Sequence, residues 1–589
     1  MFWDNIYANV KSNGIQNNFI LIPSCYMINR IIDWFKMHEK TTLFILVLLF
    51  LATRLGGAGL PLHQDEYKWP IVVNPANIGS TIPHPPLGQF IYRTAGSMIG
   101  FNTHFRFVPV FFGLLNLLLL YYLMRFLFGR KEALIASFIW IFSYFSVLAS
   151  LMVDTDGEIM PFFFLLALIG YFKIKKTTGK EKYKWLILLG LACILGFLVK
   201  VSFLLAIFAI IADFIWSKKN DISKKDILRY IVRLGFFLGL LTVLLVFSVK
   251  IFPFFKLEES ISYWGRFLID FSSRSWFQTV IQCIKALLYS SPFLVLVPLL
   301  DLKGIFYKAK LFIFFLLFSI VFYVILFDFS AGALDRYLQL LVLPLTVLTT
   351  LVIAQIVRTK DRRTKEFFLF GLIIGLILIL LQSLPHYVPS LHPKSEWITR
   401  IASLKWNFVY PFSGGSGPLG FYVSFLVIGF SWIISLVAVV FAMIKPQYKK
   451  LVLIFLLPLG LVYNGLFVEE YLVGHWNGHA QFLLYPAVEY IKNNPDIDKI
   501  ITFNDNGGHE IRGIGKYGRR LYIDPKFPGQ IDYMNQNKAY YFVLDVPRID
   551  QRSVYRKYFD TCKVLYTEVD KKMSATVYDC HGIPDISVY

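Results

Sequence analysis

Two adjacent carboxylates, Asp65 and Glu66, stand in Pro61-Leu-His-Gln-Asp-Glu-Tyr-Lys-Trp69, directly after the first long apolar run and ahead of His84-Pro-Pro-Leu-Gly88. A carboxylate at such a place has the chemistry to take a proton from an attacking hydroxyl or amine. Taken alone, the pair reads better as two solvated loop acids. A second acidic turn, Asp154-Thr-Asp156-Gly-Glu158, follows the third apolar run; there Asp154 or Asp156 precedes a helix and reads most plainly as its cap. The cations are Lys200, set between Phe197-Leu-Val199 and Val201-Ser-Phe-Leu-Leu205, and Arg336, followed by Tyr337. A lysine among such neighbours costs a few kcal/mol at membrane depth unless it faces an anion or water. Snorkelling from a helix end is its plainer explanation, and an interfacial anchor pair is that of Arg336 and Tyr337.

The elements that must position these groups are apolar helices. Hydrophobic residues make up 56% of the 589 and charged ones only 16%, against roughly 25% charged in a soluble protein. The chain reads as a polytopic membrane protein. About thirteen segments have the length and hydrophobicity to span a bilayer: 42-60, 106-128, 132-152, 158-174, 184-199, 201-217, 230-252, 286-301, 310-328, 337-357, 366-384, 420-444 and 450-468. Threaded from a cytoplasmic N-terminus, they put Arg125/Arg130/Lys131, the lysines from 173 to 184, those from 218 to 233, Lys303 to Lys310, Arg358 to Lys365 and Lys445/Lys449/Lys450 on one side. That is the positive-inside pattern, so the net charge of +21 implies no nucleic-acid partner. The tightest step is the reversal around Val199-Lys200-Val201.

The same threading gives three parts: an interfacial cytoplasmic segment 1-41, a membrane domain 42-468 with a long extracytoplasmic first loop 61-105, and an extracytoplasmic domain 469-589. In the last part, helical spacing over Ala480 to Asn494 and strand patterns at 499-503, 539-545, 561-569 and 574-579 predict a small α/β domain. Asn506-Gly-Gly508 lacks the pattern of a dinucleotide-binding turn. Cys562 and Cys580 fall at nearly cross-strand positions in an oxidising compartment, which predicts a disulfide. His63, Arg266, Arg274, His386, His392, His475 and His479 also fall on this side, with no spacing that fixes a metal site, and are read as solvated.

In combination, Arg54, Asp65-Glu66, His84-Pro-Pro-Leu-Gly88, Arg106-Phe-Val-Pro109, Asp154-Thr-Asp156-Gly157, Gly196-Phe-Leu-Val-Lys200 and Arg336-Tyr337 resemble the GT-C glycosyltransferases that use polyprenyl-phosphate sugars, in the branch of protein O-mannosyltransferases and lipid A aminoarabinose transferases. The resemblance covers residues 42 to about 350. It implies an all-α polytopic GT-C fold with a small C-terminal α/β domain, in the cell membrane. It also implies transfer, with inversion, of a sugar from dolichyl or undecaprenyl phosphate to a protein, glycan or lipid acceptor. Asp65 would be the base, Glu66 its positioning neighbour and Asp156 the second acid. Lys200, Arg336, Tyr337 and His84 would hold the donor phosphate, with Asp154 and Asp156 near the acceptor or a divalent cation. Two departures are His84, where relatives have lysine, and Leu340, where a proline is expected. The competing expectation is a lipid-linked-saccharide flippase or another multi-pass transporter, whose ionisable residues belong near the midplane on broken helices.

Overall fold

The computed structural model describes residues 38-63, 65-75, 82-218, 224-265, 274-328, 334-357, 363-390, 395-412, 419-521 and 529-586. Of the sequence expectations, most of the segment 1-41, together with Arg266 and His392, lies outside the described residues. Ten helices among the described residues are long and apolar enough to cross a membrane, and the pair Arg130–Phe142 and Tyr144–Leu151, bent by 66°, makes an eleventh. The helix Ile159–Lys176 occupies another expected span, its last turn carrying Lys173, Lys175 and Lys176.

The run Pro292–Leu326 is helical throughout yet doubles back. Asp301 breaks it with φ −150° and ψ 40°. Thr349 donates to the Leu294 carbonyl at 3.1 Å and Gln355 to Asp301 at 2.6 Å, so the chain runs alongside Gln339–Ile356 to one end. Tyr323 then stacks on Tyr337, with ring centroids 5.6 Å apart, at the other end. Two expected spans, 286-301 and 310-328, are the two limbs of this turn.

Backbone groups freed by such breaks need partners, because lipid supplies none. At the 66° bend, Arg54 donates to the carbonyls of Ile141 (2.5 Å) and Trp140 (3.3 Å), and the Asn464 side chain accepts from the Tyr144 amide at 2.8 Å. Small residues let helices close: a Cβ on Gly371 would clash with the Phe455 carbonyl, and one on Gly375 would come within 2.9 Å of Val462. That Gly-x-x-x-Gly stripe seats Thr364–Ser383 on Lys449–Leu472. The outward faces, such as Val232, Phe236, Val243 and Phe247, are exposed apolar side chains suited to lipid.

The expected span 420-444 begins later than its hydrophobicity implies. Phe421–Ser424 is a strand paired antiparallel with Val409–Phe412, and the helix starts at Phe425. Phe421 and Tyr422, whose side chains point to opposite faces of this hairpin, are both buried, which is why its sequence reads as helix.

The C-terminal domain is a five-stranded sheet in the spatial order Tyr517–Leu521, Ile500–Phe503, Tyr540–Leu544, Met573–Asp579, Lys563–Asp570. The first three are parallel and the last two join antiparallel. Tyr517–Leu521 was not legible: Gly518, Arg519 and Arg520 make it a charged edge strand with no apolar alternation. One face of the sheet (Phe542, Leu544, Ala575, Val577) continues into the membrane-domain core, and the other (Phe503, Tyr541, Val543, Tyr578) forms a separate small core. Cys562 and Cys580 are bonded on that second side, with Cα atoms 4.6 Å apart.

Candidate functional site

Asp65 opens the short helix Asp65–Val73, and its Oδ2 accepts from Arg336 Nη1 at 3.1 Å while Oδ1 pairs with Lys68. Its side chain keeps 34% of its surface open, whereas Arg336 keeps 8%. Glu66, the next residue, is buried and fully engaged. It accepts from Arg106 Nη1 (2.7 Å) and Nη2 (2.8 Å) and from the amides of His63 and Val153, each at 3.0 Å. Arg106 in turn holds the carbonyls of Leu60 (2.9 Å) and Pro61 (2.6 Å). This bidentate, charge-assisted pair ties the first loop to the second span and leaves Glu66 a positioning group.

The second acidic turn meets the same cations. Arg336 Nε pairs with Asp154, and Lys200 pairs with Asp156. Burial opposes the Asp154 carboxylate, but Arg336 and Lys200 outweigh it and hold its pKa below the usual carboxylate range. Asp156 is raised, because its burial exceeds what Lys200 returns, and its Oδ1 is buried without a hydrogen-bond partner. Neither aspartate caps the following helix: the residue at that position is Glu158, whose side chain makes no cap bond. Lys200 itself is the extended residue (φ −157°, ψ 135°) between Glu181–Val199 and Val201–Phe203. Its ammonium lies 4.5 Å from the Tyr337 ring centroid, and the Arg336 guanidinium lies 5.6 Å from the same ring. Acids and cations therefore alternate, Asp65–Arg336–Asp154 beside Asp156–Lys200, with Tyr337 between the two cations.

Glycines in the motifs make this closeness possible. A Cβ on Gly88 would come within 2.6 Å of the Thr155 methyl, one on Gly157 within 2.8 Å of the Ala149 carbonyl, and one on Gly196 within 2.5 Å of the Phe203 ring. His84 is buried between Trp69 (centroids 6.4 Å apart) and Tyr263 (6.3 Å). Burial first, and then Lys200 nearby, push its pKa down to about 3. It therefore enters the site as a neutral ring and adds no charge. Tyr92 donates to the Asp154 carbonyl at 2.9 Å and packs at a tilt against Trp69, with ring centroids 4.6 Å apart.

Other expected residues stand elsewhere. Arg54 serves the helix bend. Arg274 is buried and donates to the carbonyls of Val324 and Ile325 at a helix end. Of the histidines read as solvated that fall among the described residues, His63 and His479 are buried, His386 is half-buried and His475 is exposed. Burial drives the His63 pKa to about 4. His479 hydrogen-bonds the Tyr471 carbonyl at 3.0 Å and caps Ala480–Asn493. Among the described residues no three His, Cys, Asp or Glu side chains gather to hold a metal ion. Asp154 and Asp156 each face a cationic side chain where a divalent ion would stand, so the turn does not fit a resident metal.

One contact had no signal in the sequence. Tyr67, the third residue of the acidic stretch, donates its hydroxyl to Asp505 of the C-terminal domain.

Residues 83–251 match the family model described as dolichyl-phosphate-mannose-protein mannosyltransferase. That stretch holds His84, Arg106, Asp154, Asp156 and Lys200, and excludes Asp65, Glu66, Arg336 and Tyr337. No curated protein matches the chain by sequence. The crystal structure of ArnT from Cupriavidus metallidurans in the apo state superposes with a TM-score of 0.54 at 12% identity, covering 93% of this chain and 98% of that one. ArnT from the same organism bound to undecaprenyl phosphate gives 0.50 at 13% identity, covering 92% and 99%. The chain has the GT-C glycosyltransferase fold. In that GT-C frame, the alternating acids and cations occupy helix ends and turns at one end of the bundle.

Proposed function

We propose that this membrane glycosyltransferase takes a sugar from a polyprenyl phosphate and passes it, with inversion at C1, to an acceptor on the extracytoplasmic side. The attacking oxygen or nitrogen of the acceptor forms a bond to C1 as the bond from C1 to the phosphate oxygen breaks. Asp65 takes the acceptor proton, and the polyprenyl phosphate departs with the electron pair. Lys200 and Arg336 meet the charge developing on that phosphate, where fixed cations in a water-poor site act most strongly. Each retains N–H donors beyond those its aspartate engages. Tyr337 and the neutral His84 line the same place, and Asp156 with Asp154 keeps the two cations aimed.

The observation that carries this reading is the contrast among four acids. Glu66, Asp154 and Asp156 are buried and held, whereas Asp65 alone presents an open carboxylate while touching the cation array. Nothing specific favours the flippase or transporter alternative: the alternating charges gather at one end of the bundle, whereas a transporter's site belongs near the midplane. The name of the matched family supports mannose as the first sugar to try, with a pentose second. Protein, glycan and lipid acceptors all suit an open base.

Protein in nanodiscs, given undecaprenyl- or dolichyl-phosphate mannose and the pentose counterparts, should release free polyprenyl phosphate and add the sugar mass to an acceptor. Movement of intact lipid-linked sugar between leaflets, without release, would favour the transporter instead.

A further inference from the structure

The stretch Asp65-Glu66-Tyr67 is gripped from three directions by consecutive side chains. Asp65 reaches Arg336, Glu66 reaches Arg106, and Tyr67 reaches Asp505. The helix they begin has only 9 residues and contains Pro70, too short to be stable by itself, since isolated helices below about 12 residues are marginal. Side-chain anchors must therefore set where Asp65 points.

The third anchor is built for the purpose. Asp505 is 1% exposed and lies in the turn after strand Ile500–Phe503. Besides the Tyr67 hydroxyl it accepts from Tyr517 at 3.0 Å and Thr502 at 3.3 Å, with Arg520 3.6 Å away. Asn504 and Asp505 both have positive φ, 55° and 58°, a conformation that asparagine and aspartate adopt more readily than other side-chain-bearing residues. Arg512 lies 3.7 Å from the Tyr517 ring centroid and 5.6 Å from that of Tyr67, and the His509 ring lies 6.5 Å from that of Tyr67.

We infer that the C-terminal domain is a working part of the transfer site, with Asp505 a positioning residue that acts through Tyr67 to hold the Asp65 carboxylate towards Arg336. The domain is then more than an appendage of the membrane part. The inference rests on the transferase reading for what Asp65 does, but the physical clamp does not.

Full-length protein in nanodiscs tests it with Tyr67→Phe, which removes one hydroxyl and keeps the ring near His509 and Arg512, and with Asp505→Ala. Asp505→Asn is the conservative partner: asparagine tolerates positive φ and still accepts from Tyr67. Hydrogen–deuterium exchange over 65-73 should quicken in Tyr67→Phe and Asp505→Ala and remain near wild type in Asp505→Asn, with the sheet strands equally protected in all. With polyprenyl-phosphate mannose, kcat should fall roughly ten- to a hundredfold in the first two, as for a catalytic group misplaced by about 1 Å. KM should stay unchanged, and Asp505→Asn should rescue kcat. Unchanged exchange over 65-73 would overturn the clamp whether or not transfer is observed. Faster exchange with normal kcat would overturn the positioning role, and so would loss of protection throughout the sheet.

Discussion

Four acids share the site, and what holds each one decides what its replacement should do. Asp65→Asn keeps size and the hydrogen bond from Arg336 while removing basicity. Turnover should fall by about 10²- to 10⁴-fold, with binding of the polyprenyl-phosphate sugar retained in an equilibrium assay. Near-normal transfer by this variant, with Asp156→Asn inactive, would move the base to the second turn. Lys200 calls for a pair of variants. Lys200→Ala removes a proposed phosphate ligand, but it also strands the Asp156 carboxylate, which is 0% exposed. Breaking a buried pair from one side costs about 3 to 5 kcal/mol. Lys200→Ala/Asp156→Asn should therefore melt higher than Lys200→Ala alone and yet stay deficient in donor KM or kcat. Recovery of both melting and turnover in the double variant would leave the lysine a purely structural partner.

At the scale of elements, the helix Gly508–Gly513 presses Glu510 towards the first loop, and its carboxyl oxygens are shut off from solvent. Burial raises this group from 4.5 to about 7, with Arg106 nearby opposing the shift and Glu66 adding to it. A carboxyl whose folded value exceeds its unfolded one takes up a proton on folding. Its stabilisation is complete below 4.5 and is lost as pH rises through about 7. Thermal unfolding followed from pH ~5 to ~8 should show a decline worth on the order of 3 kcal/mol at most. Glu510→Gln should flatten that decline; an unchanged pH profile would mean that another group titrates. The disulfide belongs to the opposite face of the sheet, away from Tyr67 and Asp505. Cys562→Ser should lower the domain's melting temperature while transfer continues, as parallel melting and turnover measurements would show.

For the whole molecule, one hydrophobic core runs from the membrane helices into the near face of the sheet through Ala480–Asn493. The bundle and its C-terminal domain thus form one packed body with the site at their junction. We propose that loop charge orients that body, with the basic loops of the sequence on the cytoplasmic side and Asp65 and Arg336 on the other. Reporter fusions after residues 220 and 480 should therefore report opposite sides of the membrane, cytoplasmic and extracytoplasmic in turn. Signals from the same side would remove the extracytoplasmic acceptor from the proposal.

The sequence by itself determined the membrane-protein class, the positions of most spans, the acidic and basic motifs, and four of the five C-terminal strands. Those features are written in local hydrophobicity, period and charge, which survive without knowledge of neighbours. Even the abrupt reversal at Lys200 was legible, since an ionisable residue between two apolar runs has few other places to be. Tertiary structure alone decided the partners. That Glu66 is spent on Arg106 while Asp65 stays open depends on which face of a short helix meets the second span. That His63 and His479 are buried follows from tertiary packing around the first loop in one case and around a helix cap in the other. The strand Phe421–Ser424 hid inside an apolar run because burial on both sides erases the alternation that marks a strand. The contact from Tyr67 to Asp505 spans 438 residues. No pattern within either segment encodes it, because each side chain is explained only by the other.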